Sequence, residues 1–125
     1  MKSYEDLQVW QRAMDLVDCV YRLSARFPPD ERFGLTSQVR RAAVSVSSNI
    51  AEGHARNSTR DFLRFLSMSM GSIAEVRTQL LIAERQGWLD SDEAHKAHES
   101  AAEIVRMLRG LMKSLNARIS TPTSP

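Results

Sequence analysis

The sequence predicts an all-α domain, an antiparallel up-down-up-down four-helix bundle, and three observations carry that prediction. Apolar residues recur every three to four positions along most of the 125-residue chain. Pro28-Pro29, Asn57-Ser58 and Gly87 interrupt the pattern, leaving four long segments joined by short turns. No alternating apolar–polar strand pattern and no internal repeat competes with this reading.

The first helix is expected to open at Ser3, where Ser3 and Asp6 form a variant capping box with Asp in place of Glu or Gln. Leu7, Trp10, Met14, Val17 and Tyr21 then supply its core stripe until Pro28-Pro29 forbids continuation. Asp30 to Gly34 reads as a connector. The second helix is expected from about Leu35 to Ala55, with Leu35, Val39, Ala42, Val46 and Ile50 on one face. Ser58 followed by Asp61 starts the third, whose stripe is Phe62, Phe65, Leu66, Ile73, Val76, Leu80 and Ala83, with Gly87 as its stop. Asp90 followed by Glu93 starts the fourth, with Ala94, Ala97, Ala101, Ile104, Leu108, Leu111 and Leu115 facing inward. Its acidic start and basic end (Arg106, Arg109, Lys113) suit the helix dipole. The bundle domain is thus residues 1–118, and the aperiodic stretch from Ile119 to Pro125 reads as a disordered tail.

Composition narrows the function classes. A hydrophobic content of 42% and a charged content of 26% are globular values, and a formal net charge of +2 permits nucleic-acid binding without requiring it. Cys19 is the sole cysteine, which rules out an internal disulfide. The first residues lack a signal-peptide core, and no apolar run approaches the roughly 20 residues that cross a bilayer. The expectation is a cytoplasmic protein with no membrane partner.

The helices carry more apolar surface than one bundle needs. On the first, Val9, Leu16, Val20, Leu23 and Phe27 form a second ridge away from Trp10 and Met14. On the third, Leu63, Met70 and Leu81 flank the core stripe, with Met68 and Ile82 elsewhere. A subunit interface is the expected use, against the plainer alternative of a generous core beneath the loops. The second helix adds a polar stripe of Arg41, Ser45, Ser48, Glu52 and Arg56, where serines in place of long charged chains imply a close contact. Arg41, Ser45, Asn49, Glu52, Ser72 and Glu75 are therefore expected to form a polar network that fixes helix or subunit register.

Arg40, Arg41, Arg56, Arg60 and Arg64 are the candidate nucleic-acid residues, bracketing the junction of the second and third helices. Arginine's planar fork suits phosphate. Glu52 and Asp61 neutralise part of the set, and no interleaved aromatic offers a stacking platform. Asp92, Glu93, His95, His98 and Glu99 resemble metal-ligand chemistry, but a di-iron bundle takes a Glu-x-x-His motif from each of two helices. These residues read as a solvated face, Cys19 as packing, His54 as a dipole partner and the methionines as core filling. Neither a metal nor a cofactor is expected, nor a catalytic residue.

Val9-Trp10-Gln11-Arg12-Ala13, Phe27-Pro28, Glu31-Arg32-Phe33-Gly34-Leu35-Thr36-Ser37-Gln38, Arg40-Arg41-Ala42 and Ser45 followed by Asn49-Ile50-Ala51-Glu52-Gly53 make a distinctive series. With Arg56, Ser58, Phe62, Phe65-Leu66, Gly71-Ser72 and Glu75 it resembles the bacterial four-helix-bundle family named for reading frames inside the intervening sequences of 23S ribosomal RNA genes. The resemblance covers roughly residues 4–90, and the fourth helix fits it only in general character. It implies a ring-like homo-oligomer, commonly a pentamer, and supplies no catalytic activity. The accessory variability determinant of diversity-generating retroelements, a related bundle, binds nucleic acid and a reverse transcriptase. The combined expectation is a non-enzymatic homo-oligomer that binds RNA or DNA through arginines near the second-to-third helix junction. The alternative is a protein-binding scaffold or adaptor ring with no nucleic-acid ligand.

Overall fold

The computed structural model describes residues 3–120 and contains four long helices: α1 (Gln8–Ser24), α2 (Leu35–Ala55), α3 (Thr59–Arg85) and α4 (Ser91–Ser120). Single 3-10 turns at Tyr4–Asp6 and Pro29–Glu31 lead into α1 and α2. α2 and α4 each pack against both α1 and α3, so α1 and α3 face each other across the diagonal of the bundle. No described helix is long and apolar enough to cross a membrane.

Local chemistry explains most helix ends. Ser58 Oγ accepts the Asp61 N–H at 2.9 Å and Asp90 Oδ1 accepts the Glu93 N–H at 2.8 Å, as expected for N-caps of α3 and α4. α3 stops in a Schellman arrangement. Gly87 takes a φ of 84° while the Trp88 N–H reaches Ala83 O and the Gly87 N–H reaches Glu84 O. The start of α2 is covered from outside the helix, by Glu31 Oε1 accepting the Leu35 N–H at 3.1 Å.

Three expectations about the ends change. Ser3 caps the 3-10 turn by accepting the Glu5 N–H, and Leu7 is extended before α1 begins, so Ser3 and Asp6 do not make a capping box for α1. α1 ends at Ser24, short of Pro28, because Ala25–Phe27 tighten into turns. α4 continues to Ser120, so the predicted boundary at 118 falls inside the helix. The rest of the predicted tail, residues 121–125, lies outside the described residues.

The core stripe of α2 is buried as expected, and so are those of α3 and α4 apart from the half-buried Phe62 and Leu111. On α1 the two ridges exchange roles. Val9, Ala13, Leu16, Val20 and Leu23 are buried against the other helices, while Met14 and Tyr21 are exposed and Trp10 and Val17 half-buried. The surplus ridge exists, but it is the one with the larger side chains. Met68, Leu81 and Ile82 on α3 are exposed as well.

The tightest contact is between α2 and α3. A Cβ added to the buried Gly53 would lie 2.6 Å from the Cβ of Phe65 and 3.0 Å from Phe62 Cδ1. Ser69 Oγ crosses the same interface to donate to Val46 O at 2.8 Å, inside the core. In an exposed helix interior Gly→Ala gains about 0.5–1 kcal/mol. Gly110, with open space around it, is expected to follow that rule. Gly53→Ala is expected to do the opposite and lose about 1–3 kcal/mol through overpacking. Thermal melts of the two variants check this, and a Gly53→Ala protein as stable as Gly110→Ala would contradict the close approach.

Candidate nucleic-acid interface

The α2–α3 junction owes its geometry to Gly53 and Ser58. Gly53 allows α3 to come close, and Ser58 restarts the helix after α2 ends at Ala55. Arg56 leaves α2 in an extended conformation, Arg60 lies in the first turn of α3, and Arg64 follows one turn later. The guanidinium carbons of Arg56 and Arg64 sit 4.9 and 4.6 Å from the centroid of the Phe65 ring. Arg56 also pairs with Glu52 at 2.9 Å and Arg64 with Asp61 at 3.5 Å. Both pairs are solvent-exposed, so their carboxylates screen these cations only in part. Arg60 makes neither ion pair nor hydrogen bond among the described residues.

α4 ends at the same end of the bundle. Arg118 joins His54, Arg56, Ser58 and Thr59 around a depression of about 220 Å³. Beyond Glu103, α4 carries Arg106, Arg109, Lys113 and Arg118 with no carboxylate before Ser120. Arg106 itself lies mid-helix beside Glu99 and Glu103. With Arg118 beside Arg56, and Arg60 and Arg64 on the first turns of α3, this end of the bundle carries more cations than Glu52 and Asp61 offset.

Arg40 and Arg41 do not belong to it. From position 40 to position 56 an α-helix rises about 24 Å, which puts them near the opposite end. Arg40 is half-buried, with Nε donating to Ser24 Oγ at 2.8 Å and its guanidinium 4.6 Å from the Tyr21 ring centroid. It fastens the end of α1 to the start of α2. Arg41 is exposed and makes no hydrogen bond or ion pair among the described residues. The expected five-arginine patch is therefore two separate groups.

The expected polar network is also divided. Asn49 Nδ2 donates to Ser45 O at 2.9 Å and to Ser45 Oγ at 3.0 Å, and Ser72 Oγ lies 2.9 Å from Ser45 Oγ. These three residues join α2 to α3. Glu52 turns to Arg56 instead, and Arg41 and Glu75 share a cleft with Gln79 without bonding to each other. Gln79 Oε1 is buried there and has no hydrogen-bond partner among the described residues. Ser69, which the sequence reading passed over, makes the most deeply buried of the cross-helix bonds.

The remaining reactive side chains are committed to structure or to solvent. Burial pushes the Cys19 thiol above its usual pKa, which disfavours the thiolate a nucleophile needs. Glu93 pairs with Arg26 at the end of α1, and His95 pairs with Glu99 on the solvent side at 3.1 Å. Burial, followed by the charge of Arg77, holds the His98 imidazole below its usual pKa. No group of three or more potential ligands gathers to hold a metal among the described residues.

The family model of the 23S rRNA-intervening sequence protein matches residues 5–110. The chain belongs to that family. No curated protein matches it. Among solved structures, a protein of unknown function from the S23 ribosomal protein family of Bacteroides thetaiotaomicron is similar, with a TM-score of 0.78. Identity to it is 19%, over 84% of this chain and 95% of that one, which is a likeness of fold.

For this member of the intervening-sequence family, two features besides Ser69 escaped the sequence reading. Arg118 is remote in sequence from the junction it joins. Phe33 is 86% exposed, and together with Tyr21 it lies beside Arg32, Arg40 and Arg41, a grouping that requires the α1–α2 turn to be folded. The helix contacts themselves generate a contrast in stability. Ser69→Ala is expected to cost about 1 kcal/mol by removing a buried hydrogen bond. Glu52→Ala, which opens an exposed i,i+4 pair, is expected to cost under about 0.5 kcal/mol. Urea unfolding of both variants measures the difference, and an equal or reversed order would show that the register is held elsewhere.

Proposed function

We propose that the chain is a non-enzymatic, cytoplasmic, self-associating bundle that binds nucleic acid through its basic end. The observation that carries this reading is Arg118 of α4 beside Arg56 at the α2–α3 junction, with Arg64 sharing the Phe65 ring with Arg56 and Arg60 in the first turn of α3, next to a run of α4 without carboxylates. Guanidinium groups at this spacing suit the phosphates of RNA or DNA, and two to four contacts per subunit make a modest site. Repetition of that site around a homo-oligomer raises its avidity. Self-association is supported by exposed apolar side chains on diagonal helices, Met14 on α1 and Met68, Leu81 and Ile82 on α3. Two different apolar surfaces on one subunit suit the head-to-tail contacts of a closed ring, and the family resemblance favours a pentamer.

A second reading, a protein-binding scaffold ring with no nucleic-acid ligand, is favoured by the pairing of Arg56 with Glu52 and of Arg64 with Asp61. Filter binding of structured RNA at two salt concentrations separates them. The first reading expects log K to fall with log salt at a slope of about −2 to −4. It also expects Arg60→Glu with Arg118→Glu to weaken binding about tenfold or more, with assembly unchanged. Salt-insensitive or absent binding would favour the scaffold. Sedimentation velocity tests assembly separately: Leu81→Glu with Ile82→Glu is expected to leave a folded 14.1 kDa monomer, and an unchanged sedimentation coefficient would remove α3 from the contact.

A further inference from the structure

At the end of the bundle away from the basic junction, the α1–α2 turn and the start of α2 enclose an open groove of about 660 Å³. Its apolar wall is Tyr21, Phe33 and Val44, all of them exposed. Its charged wall is Arg32, Arg40 and Arg41, and among the described residues no carboxylate lines it. The nearest acid along the chain, Glu31, is occupied in capping the Leu35 N–H. Arg40 is fixed by Ser24 and lies over the Tyr21 ring, so this side of the groove is rigid. Phe33 differs: Arg32 approaches its ring at 5.2 Å, yet 86% of the residue remains exposed to solvent. Arg41 is a cation with no hydrogen bond or ion pair among the described residues.

We propose that this groove binds an unpaired stretch of single-stranded nucleic acid, with a base stacked on Phe33 and the neighbouring phosphate held by Arg41. The inference rests on the nucleic-acid reading above and assigns it a second site with a different substrate form. A stacking face is useful only for a base free of its own neighbours, because a duplex offers base edges and phosphates and not ring faces. An excess of guanidinium without carboxylate selects a polyanion, and aromatic rings between cations are how single strands are bound without sequence preference. An amphipathic helix is a poorer match. It needs apolar anchors along several turns, whereas here three side chains surround one pocket. The Thr36 and Ser37 hydroxyls on the groove wall add hydrogen-bonding groups for sugar or base.

The test uses the full chain with fluorescein-labelled oligouridine and a fully paired RNA duplex of equal length, read by anisotropy. Phe33→Ala is expected to weaken oligouridine binding about tenfold and leave duplex binding unchanged, and Phe33→Trp to restore it. Arg41→Gln is expected to flatten the oligouridine salt slope by about 0.7, one phosphate contact on a single strand. If the wild-type chain binds oligouridine and Phe33→Ala binds it equally well, the groove proposal is overturned while the basic-end reading stands. If the wild type binds neither probe, both are overturned. Sedimentation velocity on the same variant closes the remaining alternative, since loss of assembly with Phe33→Ala would make the groove a contact between copies and overturn its role in binding bases.

Discussion

The close approach of α2 and α3 at Gly53 is the constraint on which the rest of the molecule depends. Only a residue without a side chain fits where a Cβ would fall 2.6 Å from that of Phe65. That contact lets Phe65 sit under the junction, and Phe65 in turn holds Arg56 and Arg64 on its ring. Further along the interface Ser69 reaches Val46 O, and Ser72 meets Ser45, both through short hydroxyls that longer side chains would keep apart. The basic end is thus a consequence of small residues several positions away. Van der Waals contact sets the separation of the helices, and the separation sets where the charges lie.

Much of the fold was legible because its signals are local. Pro28-Pro29, the Ser58 and Asp90 caps and Gly87 act within a few residues of themselves: the prolines open the 3-10 turn ahead of α2, the two caps start α3 and α4, and Gly87 stops α3. The orientation of α1 was not local. Both of its ridges repeat at helical spacing, and the larger side chains of Trp10, Met14 and Tyr21 made theirs the more conspicuous. Burial went instead to Val9, Ala13, Leu16 and Val20, the ridge with narrower side chains at its centre. Ala13, fully buried, belongs to neither ridge expected from the sequence because an alanine has little hydrophobicity to show. What selects the ridge is the shape of the other three helices, and one segment's periodicity does not contain it.

The candidate site was less legible, and distance is the physical reason. Arginines at 40, 41, 56, 60 and 64 look adjacent in a one-dimensional string, but most of the interval is straight helix rising about 1.5 Å per residue. Conversely, Arg118 is far away in sequence yet lies beside His54 and Arg56, because α4 runs back along the bundle. The serines of α2 did point to a close contact, and Ser45, Asn49 and Ser72 form one. Which charged residues would join them was undetermined, since exposed pairs such as Glu52 with Arg56 differ little in energy from solvated ions.

The two ends of the bundle now differ in kind. One is basic through cations from separate elements, and the other combines arginines with exposed aromatic rings. The exposed apolar chains of α1 and α3 lie on the sides, across the diagonal from each other. In the proposed assembly, contacts made through those sides would leave both ends uncovered and repeat them on opposite rims. A single subunit then needs only weak affinity at either end, because a polyanion held at one copy meets the next at high effective concentration. The same arithmetic accounts for arginines already shared with Glu52 and Asp61. In the proposed ring, partial neutralisation would lower the affinity of one subunit for stray phosphate while leaving the summed attraction for a long strand. A site of this design discriminates by the length and form of its ligand rather than by sequence, since none of its contacts requires a particular base edge.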